Sequence, residues 1–197
     1  MKKKLILAGL MGSAVLLAAC GGGDGGGASA ANSSSTAGST SQTTSPAPTT
    51  TLACTDGYKK LTISNSNVVA NANINLTTDD GIATLTLKTP ANGQTGDLTV
   101  CLGKADPSSV GAIADYIYQI EVRQGDLHSM ASATLTLNFT TNVTPSPNPP
   151  VIELADSSAG ETVYKPLVQG ASYVNPPNYS LSTSAQNPGV YVVRLKK

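Results

Sequence analysis

The chain contains one imidazole, His128, the side chain best suited to move a proton near neutral pH. It follows Gln124-Gly125-Asp126, a turn-forming run, so it reads as a solvent-exposed loop histidine. No Gly-x-Ser-x-Gly nucleophile elbow, Ser-x-x-Lys pair, His-Glu-x-x-His zinc motif or lysine-ended phosphate loop is present. The expectation is therefore a non-catalytic protein with no cofactor. Asp79 and Asp80 could offer oxygen to calcium, but calcium takes six to eight oxygens and no Asp-x-Asp set accompanies them. Thr78-Asp79-Asp80-Gly81 reads instead as a hairpin turn, with no metal expected. The stretch most suited to recognition is Tyr173-Val174-Asn175-Pro176-Pro177-Asn178-Tyr179, in which two tyrosines flank a stiff, amide-bearing loop. Tyrosines among adaptable polar groups favour binding surfaces. Tyr173, Asn175, Asn178 and Tyr179 are thus the candidate contacts for a protein or glycan partner.

The residues that decide where such a surface operates lie at the other end. Lys2, Lys3 and Lys4 precede an apolar run from Leu5 to Leu17, and small residues lead into Cys20. That is the three-part plan of a secretory signal, and the run is shorter than the roughly 20 apolar residues that span a bilayer. Leu17-Ala18-Ala19-Cys20 resembles the lipobox of bacterial lipoproteins. The resemblance implies cleavage after residue 19, a diacylglyceryl group on the Cys20 sulfur, and a fatty acyl chain such as palmitate on the new amino terminus. Two or three such chains hold a protein on a membrane, whereas one binds marginally. Gly21, standing where inner-membrane retention often uses Asp, implies the outer membrane of the cell envelope. Residues 1–19 are then a signal peptide. Residues 20–52 are the lipidated cysteine and a disordered tether rich in Gly, Ser and Thr, which would sample about 30 Å and reach about 100 Å when extended.

The lipobox accounts for one of three cysteines, and Cys54 and Cys101 remain. For an exported protein the expectation is a Cys54–Cys101 disulfide. Without its leader the chain keeps nine basic residues against twelve acidic ones, a net charge near −3, with no basic patch. Nucleic acid is not an expected partner. With one Phe, no Trp and many Thr, Asn and Val, the composition favours strands over helices.

From Tyr58 onward the apolar residues repeat every second position. Leu61 and Ile63 share a face. A long strand over 68–76 should turn at 78–81 into Ala83, Leu85 and Leu87. Leu98, Val100 and Leu102 point inward with Cys101 on the far side, so the disulfide should strap the sandwich from outside its core. Asp106-Pro107 should cap a short helical turn ending near Ala114. Tyr116, Tyr118, Ile120 and Val122, and then Ala131 to Phe139, alternate again, with Ser132, Thr134, Thr136 and Asn138 facing out. The helical crossover, the Asp115-Tyr116 pair with Tyr118, and the hairpin that follows are similar to the end of an immunoglobulin-like or cadherin-like sandwich. In that class a tyrosine hydroxyl ties a crossover loop down. The fold expected is all-β, an immunoglobulin-like antiparallel β-sandwich over 53–143. Residues 144–197 follow as a proline-rich connector and about three strands packed on it, with Pro166 placing its strand at an edge. The functional expectation is an envelope lipoprotein displaying a β-sandwich for binding or a structural role. The alternatives are a small envelope hydrolase using His128, and an accessory subunit of a secretion or adhesion complex.

Overall fold

The computed structural model describes residues 52–65, 68–157 and 160–197. The leader, Cys20 and nearly all of the tether lie outside the described residues. The elements run β1 (Lys59–Ile63), β2 (Asn73–Thr77), β3 (Ala83–Lys88), β4 (Leu98–Lys104), α1 (Pro107–Val110), β5 (Tyr116–Gln124) and β6 (Ser132–Thr140). They continue as β7 (Ile152–Asp156), β8 (Val163–Pro166), β9 (Tyr173–Asn175), β10 (Asn178–Ser184) and β11 (Gly189–Val193). They form two antiparallel sheets, a six-stranded one in the order β1-β4-β5-β11-β7-β8 and a five-stranded one in the order β2-β3-β6-β10-β9. The expected all-β sandwich is the architecture found.

Period-two alternation builds the core. Leu98, Val100 and Leu102 of β4 and Tyr118 and Ile120 of β5 meet Leu85 and Leu87 of β3 and Leu135 and Leu137 of β6, all buried in one cluster. Sheets stacked face to face bury alternate residues in this way. The segment after the prolines supplies strands to both sheets: β11 lies between β5 and β7, and β10 between β6 and β9. Tyr191 and Leu181 therefore enter the same core. The sequence suggested about three strands here, whereas five form, because the 173–179 stretch closes into a β9–β10 hairpin across Pro176-Pro177.

The strand expected over 68–76 begins only at Asn73. The Thr89 hydroxyl accepts from the Ala72 amide at 2.8 Å and donates to the Val69 carbonyl at 2.5 Å. Asn71 takes a φ of 55°, which turns the chain and leaves Val69 exposed. The helical turn is shorter than expected. Asp106 accepts from the Ser108 amide at 2.7 Å, Pro107 opens the turn, and Gly111 closes it with a φ of 66°.

Tyr118 does not tie a crossover loop. Fully buried, its hydroxyl crosses the core and donates to Asp80 Oδ2 at 2.8 Å. Asp80 also accepts from the Thr78 hydroxyl at 2.6 Å and the Ile82 amide at 3.1 Å. Burial raises the Asp80 carboxyl, but these bonds and the Lys104 charge outweigh it and hold it below the usual carboxylate range. Both aspartates of the doublet are thus engaged in the fold: Asp80 pins the β2–β3 turn, and Asp79 pairs with Lys59 of β1 at 2.5 Å. Tyr118→Phe should lower the unfolding free energy by about 1.5 kcal/mol, since hydrogen bonds to charged groups contribute about 1.5–3 kcal/mol. Urea denaturation measures this, and an unchanged midpoint would remove the pin from the account of stability.

Candidate functional site

The two outer sheet faces differ in what covers them. On the six-stranded sheet the Cys54–Cys101 disulfide, with Cα atoms 5.7 Å apart, fastens the leading segment over β4 and β5. Cys101 points away from the main core, as its place between Val100 and Leu102 required, yet it is fully buried under that strap. The Thr55 hydroxyl donates to Glu121 Oε1 at 2.7 Å and the Tyr58 hydroxyl to Gln119 Oε1 at 2.8 Å. The Tyr58 ring lies so close on Gly103 that a Cβ there would clash with it. Beyond the strap, the crossover through α1 covers Ile117 and Val192 in a second apolar cluster with Ala105 and Ala112.

Further across the same face sits a charged group with no sequence motif. Glu153 of β7, 1 % exposed, accepts from Arg194 Nε at 2.8 Å, Arg194 Nη2 at 3.1 Å and Lys197 Nζ at 2.8 Å. The Arg194 guanidinium lies 4.0 Å over the Tyr164 ring. The Tyr164 hydroxyl accepts from the Ile113 amide at 2.7 Å and donates to its carbonyl at 3.2 Å. Tyr164 of β8 therefore does the tying that Tyr116 and Tyr118 were expected to do. Burial raises the Glu153 carboxyl, while hydrogen bonds and charge from Arg194 and Lys197 win and hold it low. Every member of this cluster has a structural partner.

The five-stranded sheet carries no such cover over most of its outer face. Strand registers align Thr77, Thr84, Thr136 and Ser182 in one cross-strand row and Asn75, Thr86, Thr134 and Ser184 in the next. Towards the β9 edge the rows become Asn138, Ser180 and Tyr173, then Thr140, Asn178 and Asn175. Across these rows the outward side chains are Thr, Ser and Asn, with the ring of Tyr173; Ser182 alone among them is buried, its hydroxyl donating to the Ala171 carbonyl. Among the described residues the only charge on this face is Lys88, beside Asn73 and Ser132. Lateral bonds fix several of these groups: Thr77 to Thr84 at 3.0 Å, the Thr86 hydroxyl to Asn75 Oδ1 at 2.9 Å, and the Thr140 hydroxyl to Asn178 Oδ1 at 2.9 Å.

At the β9 end this face opens into a shallow groove of about 460 Å³, lined by Ile82, Tyr116, Asn138, Tyr173, Asn178 and Ser180 among others, none of them charged. An aromatic stack forms its floor, with Phe139 centred 4.3 Å from Tyr116 and 5.4 Å from Tyr179. Burial, and then the Asp115 charge, raise the Tyr116 hydroxyl above the ordinary tyrosine value, so it remains a neutral donor.

Of the four residues named from sequence, Tyr173, Asn175 and Asn178 lie together on the outer face. Tyr173 is 62 % exposed. Tyr179 faces the other way: it is 4 % exposed, opposite Phe139, and supports the floor without presenting its ring to solvent. The cause is the β10 pleat, which turns Tyr179, Leu181 and Thr183 inward together. That alternation was legible in the sequence, whereas the meeting of Tyr116, Asn138 and Thr140 with Tyr173 required the β6–β10–β9 register. His128 lies elsewhere, exposed, with Nδ1 2.9 Å from Asp126 Oδ1 in a short 3-10 turn. No family model matches this chain, and the comparisons with curated proteins and with solved structures found no match to it.

Proposed function

We propose that this chain is a non-catalytic envelope lipoprotein whose immunoglobulin-like sandwich is held on a Gly/Ser/Thr-rich tether and displays a binding surface. The observation that carries this reading is the asymmetry of the two outer faces. The chain enters through Cys54 on the six-stranded side, which its own strap and crossover occupy. The open polar face and its aromatic groove lie on the other side of the sandwich. A tether joined at the covered side leaves the uncovered side clear of the chain's own attachment point, the arrangement a display module needs.

The anchor is tested by mass spectrometry of the amino-terminal peptide from envelope fractions. Acylated Cys20 is expected as the first residue, together with loss of detergent-phase partitioning in Cys20→Ala. An unmodified Cys20, or a peptide beginning elsewhere, would overturn the membrane attachment.

A further inference from the structure

We infer that the outer face of the five-stranded sheet, with the groove at its β9 end, binds a neutral polysaccharide. This rests on the display reading above and names the ligand class for that same surface. Among the described residues Lys88 is the only ionised group on the face, and the groove residues Tyr116, Asn138, Thr140, Tyr173, Asn178 and Ser180 are all neutral. An anionic glycan, phosphate group or acidic peptide would find no cation in the groove, since Lys88 lies in the Ser132 row, rows away from Asn138 and Thr140, and transfer of its charge from water there would go uncompensated.

Apolar content decides against a protein partner. Protein interfaces rely on buried aromatic and aliphatic anchors at their centre. Here the rows from Thr77 to Thr136 and from Asn75 to Ser184 hold hydroxyls and amides with no aliphatic side chain among them, while Ser182, at the end of the first row, is buried and donates to the Ala171 carbonyl. What such an array offers is a plane of small donors and acceptors, about 4.8 Å apart across strands and about 7 Å apart along them. A sugar chain presents hydroxyls on a comparable scale and can replace surface water bond for bond. The lateral bonds Thr77–Thr84, Thr86–Asn75 and Thr140–Asn178 hold the side chains in place beforehand, so less rotamer freedom is lost on binding. Asn178, whose oxygen is occupied by Thr140, keeps its amide hydrogens for a ligand hydroxyl.

Tyr173 adds the apolar contact that a polyol needs. A pyranose has a face of C–H groups, and an aromatic ring packs against it much as two rings pack on each other. On the edge strand, outward beside Ser180 and Asn138, the Tyr173 ring is largely exposed where no other element covers it. Tyr116 borders the same groove from the other sheet, above the Phe139–Tyr179 stack. A chain lying over the polar rows would end with one sugar in this groove.

The test is affinity electrophoresis of the full acylated chain in zwitterionic detergent micelles, through native gels containing laminarin, hydroxyethyl cellulose, dextran or galactomannan, with dextran sulfate as the charged comparison. Retardation by at least one neutral glycan, insensitive to added salt, is expected. Tyr173→Ala should weaken it about tenfold, the equivalent of about 1.4 kcal/mol. Asn138→Asp should weaken it by replacing an amide with a group that cannot donate, whereas Lys60→Ala on the opposite sheet should leave it unchanged. Both test residues are exposed, and an unchanged urea midpoint confirms that each variant folds. The inference is overturned if no neutral glycan retards the protein, if only dextran sulfate does so, or if Tyr173→Ala binds as the parent. Protein crosslinks through Lys88 without glycan retardation would likewise overturn it in favour of a docking surface. The Cys20 peptide is measured independently, so failure here is distinguishable from failure of the display reading.

Discussion

Removing the Cys54–Cys101 bond should lower the unfolding free energy by about 4 kcal/mol, the chain-entropy value for a loop of this length. The cysteines are 47 positions apart, and the segment between them contains β1, β2 and β3. Both sheets therefore draw strands from the closed loop, and releasing it enlarges the unfolded ensemble where either sheet must begin to pair. A folded-state loss adds to this. Cys101 is fully buried, and its bond holds Thr55 and Tyr58 over β4 and β5. Relative to a total stability of about 5–15 kcal/mol for a domain, the effect is large. With an m-value of about 2 kcal/mol/M, the urea midpoint of the Cys54→Ala/Cys101→Ala variant should fall by roughly 2 M. A fall below about 0.5 M would show that the strap is held by its hydrogen bonds and the Tyr58–Gly103 contact, with the disulfide secondary.

Glu153→Ala should cost about 3 kcal/mol, because breaking a buried ion pair costs about 3–5 kcal/mol and both cations here retain some solvent contact. Loss of the carboxylate strands Arg194 over Tyr164 and frees Lys197, and Tyr164 is what fastens the crossover through Ile113. The effect should therefore couple to Tyr164→Phe in a double-mutant cycle. Glu153→Gln, which keeps the shape and an acceptor oxygen, should cost about half as much. The sign of the pH dependence follows from the depressed folded-state carboxyl. The charge contribution is fully present above the ordinary glutamate value of about 4.3 and is lost as pH falls through the lower folded value. Asp80, also depressed, adds acid sensitivity of the same sign. Parent and Glu153→Gln should thus converge in stability as pH falls below about 4. A difference that stayed constant from neutrality to strong acid would assign the cost to packing.

The strand faces were readable because a sheet residue's direction depends only on its parity along the chain. Leu85 and Leu87 against Thr84 and Thr86, or Leu135 and Leu137 against Thr134 and Thr136, allow one inward choice. The β9–β10 hairpin was not readable in the same way, since Tyr173–Asn175 is three residues long and two prolines follow it. Its strand character comes from pairing with β10, which itself pairs with β6. The 68–72 stretch failed in the opposite sense. Its alternation looked like a strand, but a buried Thr89 hydroxyl offered the backbone a tighter set of bonds.

By itself the sequence determined an all-β sandwich, the direction in which Cys101 points, the capped turn at Asp106, the exposure of His128 and the edge position of Pro166. Each follows from parity or from the local chemistry of one residue and its neighbours. Tertiary structure alone decided that Tyr118 reaches Asp80 across the core, that Tyr164 ties the crossover, and that Glu153 meets Arg194 and Lys197. It also set Tyr173 beside Ser180 and Asn138. These arrangements depend on strand order and register, which are set by how two complete sheets close on one core; local spacing carries no record of that.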